Sequence, residues 1–123
     1  MKPRKVLVVD DSKLLHRMFE MMLRQYPLVH AYDGLEGLDR LEENKDVDLI
    51  LLDVNMPRMN GLEFLATIKA DAVLAKIAVV IVTTEGADKD AEKGMAAGAS
   101  AYVRKPFRNE ELLGVIHKLA AAT

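Results

Sequence analysis

The chain of 123 residues is long enough for one hydrophobic core. Half of it is apolar and 29% is charged, the profile of a globular protein, and it has no cysteine, which excludes disulfides, thiol catalysis and thiolate metal sites. The formal net charge of -2, from 17 basic and 19 acidic side chains spread along the chain, excludes the clustered basic excess that direct nucleic-acid binding needs.

Residues 1–5 are basic, but the apolar run after them stops at Asp10, too short for a signal peptide core or a bilayer span. No linker, repeat or low-complexity tract interrupts the chain. Residues 1–123 are therefore expected to form a single domain, cytoplasmic and monomeric, without membrane contact.

Val6-Leu7-Val8-Val9 reads as a buried strand ended by Asp10 and Asp11, with Ser12 as the cap of the helix that follows. Leu14, Leu15, Met18 and Met22 recur at helical spacing up to Pro27. Residues 28–32 make a second strand, closed by Asp33-Gly34, and Leu35, Leu38 and Leu41 mark a second helix. Leu49-Ile50-Leu51-Leu52 is a third strand ended by Asp53; Leu62, Leu65 and Ile68 mark a third helix after Gly61. Residues 77–82 form a fourth strand ended by Thr83. Residues 87–99 are helical in propensity, with Met95 as their one large apolar side chain. Residues 101–104 are a fifth strand leading into Lys105-Pro106, and Leu112, Val115, Ile116 and Leu119 carry the last helix.

Strands that are continuously apolar are covered on both faces, so five of them alternating with five helices predict a doubly wound parallel α/β sheet. Its flavodoxin-like order would be 2-1-3-4-5. Asp10 and Asp11, Asp53, Thr83 and Lys105 all then fall at carboxyl ends of strands, the edge where such sheets bind ligands. Taken singly each has an ordinary use: a helix cap, a loop acid, a strand hydroxyl, a surface lysine. Their shared edge is what those uses leave unexplained.

Three converging carboxylates must share protons or bind a cation, and hard oxygen donors without His or Cys suit Mg²⁺ or Mn²⁺. With an ammonium and a hydroxyl added, the set is organised to hold phosphoryl oxygens, and one carboxylate can act as nucleophile to form an aspartyl phosphate.

Val8-Val9-Asp10-Asp11-Ser12, Leu52-Asp53-Val54-Asn55-Met56-Pro57 continuing to Gly61, and Tyr102-Val103-Arg104-Lys105-Pro106-Phe107, with Thr83 between them, resemble the receiver domain of response regulators over essentially the whole chain. The resemblance implies that Asp53 is the phosphoacceptor in a two-component system and that Asp11 binds Mg²⁺ directly, with Asp10 assisting. It implies that the Asn55 carbonyl completes the metal shell, that Thr83 and Lys105 contact the phosphoryl group, and that Tyr102 swings inward as Thr83 moves. It also implies a cis Lys105-Pro106 peptide. Asn55 and Glu85, which would tune dephosphorylation, form a pair similar to that of CheY-type chemotaxis regulators.

Two positions depart from the family's pattern. Thr84 stands where a smaller residue is usual, and its bulk is expected to slow phosphoryl exchange. Val54 stands where the best-known chemotaxis protein has tryptophan.

The expected partners are a sensor histidine kinase or phosphotransfer protein upstream and a protein target downstream, the flagellar switch or another effector. The target would be met through the fourth helix, fifth strand and last helix. The chain is expected to accept a phosphoryl group and to autodephosphorylate, which does not make it a conventional turnover enzyme. The alternatives are an isolated receiver from a longer regulator, an aspartate-nucleophile phosphatase, or a scaffold whose site is unused. His16, His30 and His117 show no pairing at metal-ligand spacing and are expected to be structural or solvated.

Overall fold

The computed structural model describes residues 4–53, 59–84, 88–105 and 107–121; side chains at 83, 84, 88, 90, 91, 120 and 121 lie outside that description. The strands are β1 (Val6–Val9), β2 (Leu28–Ala31), β3 (Leu49–Asp53), β4 (Ala78–Thr84) and β5 (Ala101–Lys105). The helices are α1 (Lys13–Met22), α2 (Gly34–Glu43), α3 (Gly61–Lys69), α4 (Asp88–Ala96) and α5 (Asn109–Ala121). All strand pairs are parallel, in the order β2-β1-β3-β4-β5 expected from the sequence. A short 3₁₀ turn, Leu74–Lys76, precedes β4.

Alternate residues of each strand feed opposite layers, as the period of two requires. Leu7, Val9, Ile50, Leu52, Val79 and Ile81 pack with Leu41 of α2 and Phe64, Leu65 and Ile68 of α3. Val6, Val8, Leu49, Leu51, Val80 and Val82 pack with Leu15 and Phe19 of α1 and Leu112 and Ile116 of α5. The central strands β1 and β3 are buried over their whole length, which explains their unbroken apolar sequence.

Polar caps set where the helices begin. Ser12, Asp33 and Asn60 each accept a hydrogen bond from a backbone N–H of the first turn, at 3.2, 2.9 and 2.9 Å. Asn60 and Glu63 close a reciprocal capping box, so the entry to α3 is held at both ends.

The α1 stripe differs from the one read from sequence. Leu14, Met18 and Met21 are exposed, whereas Leu15, His16 and Phe19 face the sheet. A methionine-rich helix offers apolar residues on both faces, and the face carrying Phe19 wins because the larger ring removes more surface from water. In α2, Leu35 is likewise exposed, and Gly34 and Gly37 lie against the neighbouring α3 region instead.

The small residues of α4 have a packing reason. Gly94 is buried, and a Cβ there would stand 1.9 Å from Ile81 Cδ1, so the Ile81 side chain occupies the space a larger residue would need. The exit from α4 passes through Gly98 at φ +111°, a conformation open chiefly to glycine.

Candidate functional site

The order reverses at β1 and β3, so the loops after these strands diverge and leave a crevice at their carboxyl ends. Val9 pairs with Leu52 across the two strands, which puts Asp10 and Asp53 side by side at the next register position. Asp10 is 1% exposed and Asp53 9%, while Asp11, one residue past the strand, reaches solvent. One carboxylate oxygen from each of Asp10, Asp11 and Asp53 lies within 4.8 Å of the others. Three negative groups at that range, two of them buried, form a site whose charge and hard oxygen donors fit a small divalent cation.

Asp10 is fixed at both carboxylate oxygens. Oδ1 accepts from the Ser12 N–H at 2.8 Å, and Oδ2 faces the Lys105 ammonium at 3.3 Å. Lys105 therefore spans the sheet edge from β5 back to β1 and offsets part of the acidic charge. The ring of Phe107, two residues on, stacks on Phe19 of α1 with centroids 5.8 Å apart, tying the loop after β5 to the same helix that follows Asp11.

Thr83 lies on β4 opposite Arg104, near the same edge, but its side chain is outside the described residues, as is that of Thr84. Val54, Asn55, Glu85 and Pro106 also fall outside them, so the metal-shell carbonyl, the dephosphorylation pair and the cis peptide are not among the features described. Tyr102 on β5 is 43% exposed.

His16 and His30, expected from the sequence to be structural or solvated, are in contact with each other. His16 is 2% exposed, its Nε2 is 2.7 Å from the Asp10 carbonyl oxygen, and its Nδ1 is 2.6 Å from His30 Nδ1. A carbonyl only accepts, so His16 Nε2 carries the hydrogen; in a neutral ring Nδ1 is then an acceptor and His30 Nδ1–H donates to it. His30 Nε2 faces Glu20 Oε1 at 3.0 Å. Burial, and next the neighbouring His16, hold the His30 pKa below its ordinary 6.5 against the opposing pull of Glu20. A neutral His30 has one N–H for two contacts, and the exposed Glu20 is the one that water can serve. The signal in sequence was available only through topology: His30 pairs with Val8, whose side is the one that α1 covers.

A cavity of about 720 Å³ lies at the opposite end of the strands, lined by Arg4, Leu41, Val47, Asp48, Leu74 and Ile77 among others, and has no part in this cluster.

The model of the response regulator receiver domain matches residues 6–117. The chain belongs to this family. Receiver domains of this kind are signalling proteins rather than conventional turnover enzymes. The chemotaxis protein CheY homolog of Campylobacter jejuni is 35% identical over 111 residues, covering 88% of this chain and 85% of that protein. Among solved structures, the chemotaxis response regulator CheY4 of Vibrio cholerae superposes with a TM-score of 0.85 at 33% identity, covering 94% of this chain and 98% of that one. A putative response regulator from Chloroflexus aurantiacus superposes with a TM-score of 0.91 at 28% identity, covering 98% and 99% of the two chains. The receiver fold and its five-stranded order are thus shared with these structures. No described helix is long and apolar enough to cross a membrane.

Proposed function

We propose that this receiver domain is a switch set by Mg²⁺-dependent phosphorylation of Asp53. The observation that carries the reading is the convergence of Asp10, Asp11 and Asp53 within 4.8 Å, with Lys105 already bonded to Asp10 at the same edge.

Asp11 and Asp53, with Asp10 behind them and the Asn55 carbonyl by family resemblance, would hold Mg²⁺, or Mn²⁺ in its place. When bound, such an ion neutralises charge on the phosphoryl oxygens. An Asp53 carboxylate oxygen attacks phosphorus in line, forming the acyl phosphate P–O bond as the donor's P–N or P–O bond breaks. The leaving group keeps the electron pair. Lys105 donates to a phosphoryl oxygen, and the Thr83 hydroxyl to another. Attack by water on the same phosphorus returns Asp53, with Asn55 and Glu85 setting the rate.

The acyl phosphate adds close to two negative charges. Lys105 would leave Asp10 for this stronger acceptor, and the strand that bears it also bears Tyr102. The change would be read on α4, β5 and α5. Upstream, a sensor histidine kinase or phosphotransfer protein would supply the phosphoryl group in the cytoplasm. The exposed apolar stripe of Leu14, Met18 and Met21, on the helix directly after Asp11, gives that donor a surface. The chemotaxis names of the relatives support a chemotaxis-type output, and the target would be the flagellar switch or another effector.

The test is to incubate the protein with acetyl phosphate, with and without Mg²⁺, and weigh it intact beside Asp53→Asn. One added phosphoryl group in the wild type with Mg²⁺ alone is expected. Equal phosphorylation of Asp53→Asn, or of the wild type in a chelator, would overturn the proposal.

A further inference from the structure

We propose that His16 is a positioning residue for the cation-binding turn, acting through the backbone of Asp10 and depending on His30 for its orientation. The inference rests on the reading of Asp10, Asp11 and Asp53 as a cation site.

The Asp10-Asp11 segment has to present one carboxylate from a buried position and the next from an exposed one. Its side-chain anchors are on Asp10: Ser12 N–H at 2.8 Å and Lys105 at 3.3 Å. The two peptide planes that flank Asp10, the second of which sets where Asp11 departs, are each held by a hydrogen bond. The Asp10 N–H donates to the Ala31 carbonyl at 3.1 Å, continuing the strand pairing. The Asp10 carbonyl, beyond the end of that pairing, accepts from His16 Nε2 at 2.7 Å. His16 is 2% exposed and lies one helical turn after the Ser12 cap, so water has little access to take its place.

An imidazole can present either nitrogen as donor, and only the tautomer with hydrogen on Nε2 serves the carbonyl. The contact of His16 Nδ1 with His30 Nδ1 at 2.6 Å selects that tautomer by supplying a donor to Nδ1. Tyr32 packs against the same imidazole, with ring centroids 4.3 Å apart. This is the arrangement by which groups outside a metal site orient its ligands, displaced here to the backbone of a ligand residue.

The experiment measures Mg²⁺ and Mn²⁺ affinity of the folded, unphosphorylated protein by titration calorimetry, and the Mg²⁺ dependence of phosphorylation by acetyl phosphate. His16→Leu keeps the volume and removes the donor; His16→Gln keeps an N–H that reaches the same carbonyl. The expected result is an affinity about 5- to 10-fold weaker in His16→Leu and within about two-fold of wild type in His16→Gln. The Mg²⁺ concentration for half-maximal phosphorylation should rise in the same proportion, with the rate at saturating Mg²⁺ nearly unchanged. Equal affinities in wild type and His16→Leu, or equal losses in both variants, would overturn the inference. Should His16→Leu fail to fold, a wild-type-like His16→Gln beside a weakened His30→Leu supports it, and a His30→Leu with unchanged affinity overturns it. Absence of cation binding in the wild type would instead overturn the site reading itself.

Discussion

Asp53→Asn should make the protein more stable in the absence of divalent cation, although it removes a buried charged residue. Carboxylate oxygens within 4.8 Å repel by about 3.5 kcal/mol per pair at an effective dielectric constant of about 20, and by about 1 kcal/mol if fully screened by water. Asp10 is buried beside Asp53, so that pair lies toward the higher figure, while the exposed Asp11 lies toward the lower. Lys105, bonded to Asp10, returns part of this by attracting Asp53 as well. The net gain on neutralising Asp53 is about 1–2 kcal/mol, which moves a urea midpoint by about 1 M for a protein of this size. Saturating Mg²⁺ should reverse the order: at about 100 times its dissociation constant it adds about 2.7 kcal/mol to the wild type. It should add far less to Asp53→Asn. Urea unfolding in chelator and in Mg²⁺ supplies all four values. An Asp53→Asn protein less stable than wild type in chelator would refute the claim that these carboxylates repel at close range.

Acidification should cost stability through His30. Its folded pKa lies below the ordinary 6.5, so the unfolded chain binds the proton more readily, and the stabilisation is complete above about pH 6.5 and lost as pH falls through the folded value. The groups facing it are His16 and Glu20 of α1, with Tyr32 against His16 and Arg40 of α2 on its carbonyl. Thermal unfolding from pH 7.5 down to pH 5 should show a slope (working range about neutral to mildly acidic) that is shallower in His30→Gln; an unchanged slope would place the titration elsewhere. Phe19→Ala should cost about 3–5 kcal/mol, because the ring is 1% exposed and stacks on Phe107. A loss under about 1 kcal/mol in urea unfolding would mean that the core closes over the gap.

Most of the fold is legible in the strands. Runs such as Leu49-Ile50-Leu51-Leu52 have one reading, a strand covered on both faces, and their alternation with helices leaves few topologies. The acidic site is legible for the same reason: each strand stops at its polar residue, and the order 2-1-3-4-5 brings those stops together. Helix faces are less so. Leu14 and Met18 look like core because apolarity alone does not say which of two competing stripes on α1 turns inward. The His16–His30 contact required both the register of β2 on β1 and the orientation of α1, two tertiary facts absent from local spacing. The close approach of α4 to Ile81 through Gly94 had a partial sign in the run of small residues.

The central claim is that Asp53 itself carries the phosphoryl group. Borohydride reduces an acyl phosphate to the alcohol, so protein treated with Mg²⁺ and acetyl phosphate, then with borohydride, can be mapped by peptide mass. The account predicts homoserine at position 53 and aspartate retained at positions 10 and 11; homoserine at either of those, with position 53 intact, would contradict it.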